Sequence, residues 1–164
     1  MRRRHNPVKT AGSLAAMAEE MVPGARANLR GSPQYPEING IVDFYNTAQG
    51  VIVIAQVFGL PYTPGSCGGK IFAMHIHAGG SCTGNAENPF ADANGHYNPG
   101  NCQHPMHAGD LPPLFGNRSY AWQAVLTDRF TVNEIIGKTV IIHADRDDFT
   151  TQPSGDSGPM IACG

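Results

Sequence analysis

Glycine and proline interrupt this sequence too often for long helices. The 164 residues include 20 glycines and 13 prolines. In a helix interior a glycine costs about 1 kcal/mol relative to alanine, and a proline about 3 kcal/mol. No Gly-X-Y period accompanies them, so a collagen-like chain is excluded as well. Between the breaks lie short apolar or alternating runs, the pattern of strands joined by turns. Charged residues make up only 15% and apolar ones 41%, against about 25% charged in an ordinary domain. That balance excludes a disordered polar chain. The length suits one compact domain.

The pattern predicts an all-β domain over residues 25–164. Its expected strands are Ala25–Arg30, Ile38–Tyr45, Val51–Gly59, Ile71–His77, Tyr120–Thr127 and Lys138–His143, with weaker ones at Leu111–Phe115 and Met160–Cys163. One helical turn is expected over Asn133–Ile136. Residues 1–24 read as an N-terminal tail ending at Pro23-Gly24, with at most a short amphipathic helix over 12–21. The net charge of −2 argues against a nucleic-acid partner, and Arg2-Arg3-Arg4 reads as a solvated start. No apolar run approaches the roughly 18 residues of a membrane span. Glu19 and Glu20 break the stretch that would have to serve as a signal-peptide core, so a cytoplasmic chain is favoured, with an exported form left open.

Two long segments carry little strand pattern, one between His77 and Leu111 and one from Ala144 to Pro159. Structureless loops longer than about 15 residues are usually functional or disordered. Six of the seven histidines lie in or beside these loops: His75, His77, His96, His104, His107 and His143. His5 stands apart and is assigned no role. His75 and His77 are two apart on an expected strand and so share a face. His143 ends another expected strand and can reach the same point. His96 follows Gly95 and precedes Asn98-Pro99, a turn-like setting. Imidazole is a common ligand of copper and zinc, and four imidazoles without thiolate favour copper. His104, His107 and Asp110, with His96 upstream, form a nitrogen and oxygen set suited to zinc. A metal is expected to order this glycine- and proline-rich loop.

The cysteines are Cys67, Cys82, Cys102 and Cys163. With no C-x-x-C pair, zinc ribbons and thioredoxin-like motifs are excluded. Four cysteines allow three pairings, which the residues alone leave open.

The runs Met74-His75-Ile76-His77, Gly95-His96-Tyr97-Asn98-Pro99 and His107-Ala108-Gly109-Asp110-Leu111-Pro112 resemble the copper–zinc superoxide dismutase family. So do the run from Ile135 to Ala144 with Asp147-Asp148 after it, Gln152-Pro153-Ser154-Gly155, and Ile161-Ala162-Cys163-Gly164. The resemblance implies an eight-stranded Greek-key β-barrel or sandwich with metals held outside it by two loops. It implies copper on His75, His77, His96 and His143, and zinc on His96, His104, His107 and Asp110. His96 then bridges the metals, releasing and carrying a proton during turnover. Asp147 matches an aspartate that links histidines of the two sites. Cys82 and Cys163 match the family's disulfide. For Cys67 and Cys102 two readings stay open, a second bridge to the zinc loop or two free thiols.

The implied activity is conversion of superoxide to dioxygen and hydrogen peroxide. The rival is a metal-binding or metal-storing protein on the same scaffold, without useful turnover. The sequence departs from the family in three ways. His104 and His107 are only three apart, so the zinc loop is short. Met160 stands where the family has an arginine, with Arg146 as a partial substitute among acids. The sequence ends at Gly164, so a eukaryotic-type dimer is not expected, but a monomer or a different dimer.

Overall fold

Alternation of apolar residues in short runs builds the whole of this fold. The computed structural model of the protein describes residues 22–65 and 70–164. Among these the strands are β1 (Ala25–Gly31), β2 (Asn39–Thr47), β3 (Gly50–Phe58), β4 (Ile71–Phe72), β5 (Met74–His77), β6 (Leu114–Phe115), β7 (Tyr120–Thr127), β8 (Thr139–His143) and β9 (Met160–Cys163). A 3-10 turn spans Ala91–Ala93 and one helical turn, α1, spans Val132–Ile135. The expected helix over 12–21 and Cys67 lie outside the described residues.

Seven strands form one antiparallel sheet in the order β5-β8-β9-β1-β2-β3-β7, and β4 pairs with β6 in a ribbon of two. β4 and β5 are one run of chain broken at Ala73, whose N–H donates to Asp145 O and whose carbonyl accepts from His143 N–H. The run pairs with β6 before the break and β8 after it. It therefore turns the corner between the sheets, and the large sheet curls into a half-barrel. This split gives nine strands where eight are expected. The expected strand Leu111–Phe115 shortens to its last two residues, since Pro112 and Pro113 offer no N–H to a ladder. α1 begins one residue before its expected place, with the Glu134 carboxylate accepting from Thr131 N–H at 2.6 Å.

The core takes alternate residues: Val51, Val53, Ala55 and Val57 of β3, Met74 and Ile76 of β5, Val140 and Ile142 of β8. The same alternation sends His75, His77, Ile141 and His143 to the outer face. Phe90, Ala93, Ile141 and Cys163 form a second apolar cluster there. It packs the loop after β5 against β8 and β9, and a Cys82–Cys163 disulfide fastens that loop. Asp43 interrupts the apolar run of β2. Arg26 on β1 pairs with it through two bonds of 2.6 and 2.7 Å, and Tyr45 donates its hydroxyl at 3.3 Å.

The disulfide joins residues 81 apart, for which chain entropy gives at most about 4–5 kcal/mol. Replacing Cys82 and Cys163 together by serine should lower metal-free stability by about 2–4 kcal/mol. Denaturant unfolding of metal-free protein checks this, and an unchanged midpoint would contradict it.

Candidate metal centre

Each histidine of the site is placed by backbone pairing. His75 and His77 lie opposite Ile141 and Thr139 of β8. The other edge of β5 is covered by the long loop: His75 bridges to Asp110 and His77 to His96. Ile76 N–H donates to Gly109 O and its carbonyl accepts from Tyr97 N–H. A side chain at Gly109 would meet Ile76 O at 2.2 Å, so only glycine allows this approach. Edge pairing with β5 thus holds part of the loop that a metal is expected to order. His143 follows an irregularity in the β8–β9 ladder and stands beside Met160.

Two groups of four ligand atoms result, each with all its atoms within 4.8 Å of one another. One comprises His75, His77, His96 and His143, and the other His96, His104, His107 and Asp110. His96 belongs to both. Asp110 Oδ1 lies 2.7 Å from His96 Nδ1, while its Oδ2 lies 3.1 Å from His104 Nδ1 and 3.3 Å from His107 Nδ1.

Hydrogen bonds on the far side of each ring fix which nitrogen is free. A carboxylate only accepts, so Asp147 puts the protons on Nε2 of His75, 2.9 Å away, and of His104, 2.8 Å away. The carbonyls of Asn94 and Gly158 likewise put the protons on Nδ1 of His77 and His143, at 2.6 and 3.1 Å. The opposite nitrogens, Nδ1 of His75 and Nε2 of His77 and His143, are buried without a hydrogen-bond partner, and so is Nε2 of His96. Four unsatisfied nitrogens in one group would be costly in a bare fold. A metal ion satisfies them together, so the residues fit copper or zinc. His104 Nδ1 in the second group is also without a hydrogen-bond partner. Three imidazoles and a carboxylate make an ordinary zinc set.

The family described as copper/zinc superoxide dismutase (SODC) matches residues 38–164. The chain belongs to the copper/zinc superoxide dismutase family. A Cu-Zn superoxide dismutase of Deinococcus radiodurans is 31% identical over 170 positions, spanning 93% of this chain and 88% of that protein. Cu-Zn superoxide dismutase 2 of Aquifex aeolicus is 27% identical, with 94% of each chain spanned. The crystal structure of a SOD-like protein from Bacillus subtilis superposes with a TM-score of 0.69 at 28% identity, covering 87% of this chain and 98% of that one. The protein is thus an oxidoreductase of the superoxide dismutase family, and the family implies copper and zinc as cofactors.

A cavity of about 760 Å³ opens over the first group, lined by His77, His96 and His143 and by the shared loop residues around them. Met160 lines it, and Arg146 is not among its walls. Glu87 is the only Asp, Glu, Lys or Arg among the described residues of the lining. Cys102 also lines the cavity and carries a free, exposed thiol.

Sequence reasoning missed several supports of this site. The carbonyls of Asn94 and Gly158 have no side-chain signature. Gln152 and Arg129 brace the loop bearing His104, and neither type announces such a role. Gly155 does leave a trace. It has φ +74°, and a Cβ there would lie 2.0 Å from Asp147 Oδ1 and 2.7 Å from His104 Nε2.

Burial lowers His75, His77 and His143 below their ordinary value of 6.5. His77 and His143 fall to about 3, and His75 falls despite the opposing pull of Asp147. Burial opposes ionisation of Asp147 and Asp110, but the bonded imidazoles outweigh it. Both carboxyls sit below the usual range, Asp147 at about 2.

Both kinds of group act in the same direction. Below about pH 6.5 the unfolded chain protonates histidines that the metal-free fold keeps neutral, so stability falls until about pH 3. The carboxylates add stability above their ordinary 3.8, which is lost as pH falls toward 2. Metal-free protein should therefore lose of order 10 °C in Tm between pH 7 and pH 4. Calorimetry across that range checks it, and a flat profile would contradict the burial of neutral imidazoles. Asp147→Asn keeps the shape but offers one acceptor and one donor to two N–H groups. Metal affinity should fall about 10- to 100-fold, read by chelator competition.

Proposed function

We propose that this chain is a superoxide dismutase whose copper is held by His75, His77, His96 and His143. Zinc is held by His96, His104, His107 and Asp110, so that His96 bridges the two. The observation that carries this reading is the set of four buried, unpartnered nitrogens on the first group, with the other nitrogens of His75, His77 and His143 tied to oxygen acceptors. When bound, copper supplies the one-electron chemistry by which two superoxides and two protons become dioxygen and hydrogen peroxide.

The chain's own residues do the rest. Asp147 fixes the tautomers of His75 on the barrel and His104 on the loop at once. His96 has Nε2 buried without a partner and Nδ1 turned to Asp110 at 2.7 Å. Its Nε2 is the atom that takes and returns a proton in each cycle. The cavity admits a diatomic anion easily but draws it weakly. Glu87 and a neutral thioether at Met160 stand where cations would steer an anion inward. The Cys82–Cys163 bond bears on compartment, because such bonds persist in oxidising surroundings. It supports an exported chain over the cytoplasmic one.

Metal analysis beside a superoxide assay, before and after copper loading, tests the reading. The expected result is activity that appears with copper. Zinc alone, with no activity after loading, would favour the metal-storing alternative. His143→Ala should abolish copper retention and activity while near-UV circular dichroism stays native, since the ligands lie outside the core. Global unfolding of that variant would mean that His143 serves the core instead. The wild-type rate should change less than about threefold between low and high ionic strength. A steep fall with salt would contradict the weak-steering account.

A further inference from the structure

The three residues that belong only to the second group sit on a segment that forms no strand or helix between His104 and Asp110. Its own backbone bonds are few: Met106 N–H to Gln103 O and Asp110 N–H to His107 O. Two side chains from other parts of the fold reach in to hold it. Gln152, on the loop after β8, grips His104 from both ends. Its Oε1 accepts from His104 N–H at 2.9 Å, and its Nε2 donates to His104 O at 2.7 Å. Arg129, just after β7, donates from Nη1 to three carbonyls, those of Pro105 at 2.9 Å, His107 at 3.3 Å and Asp110 at 3.2 Å.

The root of Arg129 is fixed. Phe130, next to Arg129, is buried and packs edge-on against Phe44 with ring centres 6.2 Å apart. Arg129 N–H donates to Thr127 Oγ1 at 3.2 Å. The barrel thereby presents a planar cation to a cluster of carbonyl oxygens, which no neutral side chain could gather so well. Gln152 follows Asp147 on one loop, so the carboxylate that orients the His104 ring and the amide that grips its backbone come from one segment. His104, His107 and Asp110 thus each have a backbone group held by a side chain outside their own segment. Among the described residues, no side chain clamps a backbone group of His75, His77, His96 or His143 in this way.

We propose that Arg129 and Gln152 are positioning residues for the second group, and that they set how tightly it retains zinc. The proposal rests on the zinc reading of that group. A short loop with three ligands in seven residues has little structure of its own to hold ligand spacing. Arg129 spaces His107 against Asp110 through the carbonyls on which it closes, and Gln152 sets His104 against them. Neither touches a ligand atom. Both act by removing loop conformations in which the ligand atoms diverge, so they alter zinc affinity without altering the four-imidazole set.

The test uses full-length protein, wild type and the variants Arg129→Met, Arg129→Lys and Gln152→Ala. Zinc affinity is measured by chelator competition, copper affinity likewise, and the second group is loaded with Co(II) for its visible absorption spectrum. Arg129→Met and Gln152→Ala should each weaken zinc by about tenfold or more and alter the Co(II) bands. Arg129→Lys keeps a cation and should recover part of the loss. Copper affinity should stay within about threefold of wild type, and circular dichroism should remain native. Unchanged zinc affinity and Co(II) bands in both variants would overturn the positioning roles, even if Tm fell. Equal weakening of zinc and copper would overturn them too, by showing a general loss of structure. Wild type that takes neither zinc nor Co(II) at the second group would overturn the zinc reading itself, an outcome distinct from any variant result.

Discussion

One carboxylate ties the barrel to the loop that completes the metal centre. Asp147 accepts from His75 on β5 with one oxygen and from His104 on the loop with the other. Phe149 N–H donates to it as well, at 2.7 Å. Because the carboxylate cannot donate, both rings are held in the tautomer that frees Nδ1. His75 then serves one group and His104 the other. The geometry of the two groups relative to each other follows from this contact together with the shared His96.

The arrangement is expensive without metal. Buried imidazoles are held neutral, and among the described residues five buried ring nitrogens lack a hydrogen-bond partner. A fold tolerates such groups when something else satisfies them or when the rest of the structure fixes them firmly. Both conditions apply. A bound metal would satisfy the nitrogens, while β5–β8 pairing, the edge contacts of β5 with the loop and the disulfide hold the frame. The apolar core lies on the opposite face of the same strands, so the site does not weaken it. This division between a dry inner face and a ligand-bearing outer face is set by strand alternation alone.

That division explains what the sequence made legible. Met74-His75-Ile76-His77 and Val140 to His143 alternate so plainly that the strand faces, and the common face of His75, His77 and His143, could be read directly. The strand positions at β1, β2, β3 and β7 followed from runs bounded by glycine, proline and asparagine. The corner at Ala73 was not legible, because nothing in Ile71–His77 marks a change of hydrogen-bond partner inside an apolar run. Main-chain acceptors such as Asn94 O and Gly158 O are invisible in side-chain patterns. Nothing in the sequence marks Arg129, and only the fold brings its guanidinium to carbonyls 19 to 24 residues earlier. Arg146 was weighed as a partial substitute for a steering arginine, yet it is not among the residues that line the cavity.

The central claim is that one imidazole, His96, is shared between two metal positions. Electron paramagnetic resonance of protein loaded with Cu(II) in both groups tests it most directly. Two Cu(II) ions joined through one ring exchange-couple, so the account predicts a spectrum whose intensity per copper falls well below that of two independent ions. The singly loaded protein gives the full signal of one ion. Two independent full-intensity signals in the doubly loaded protein would contradict the shared ligand.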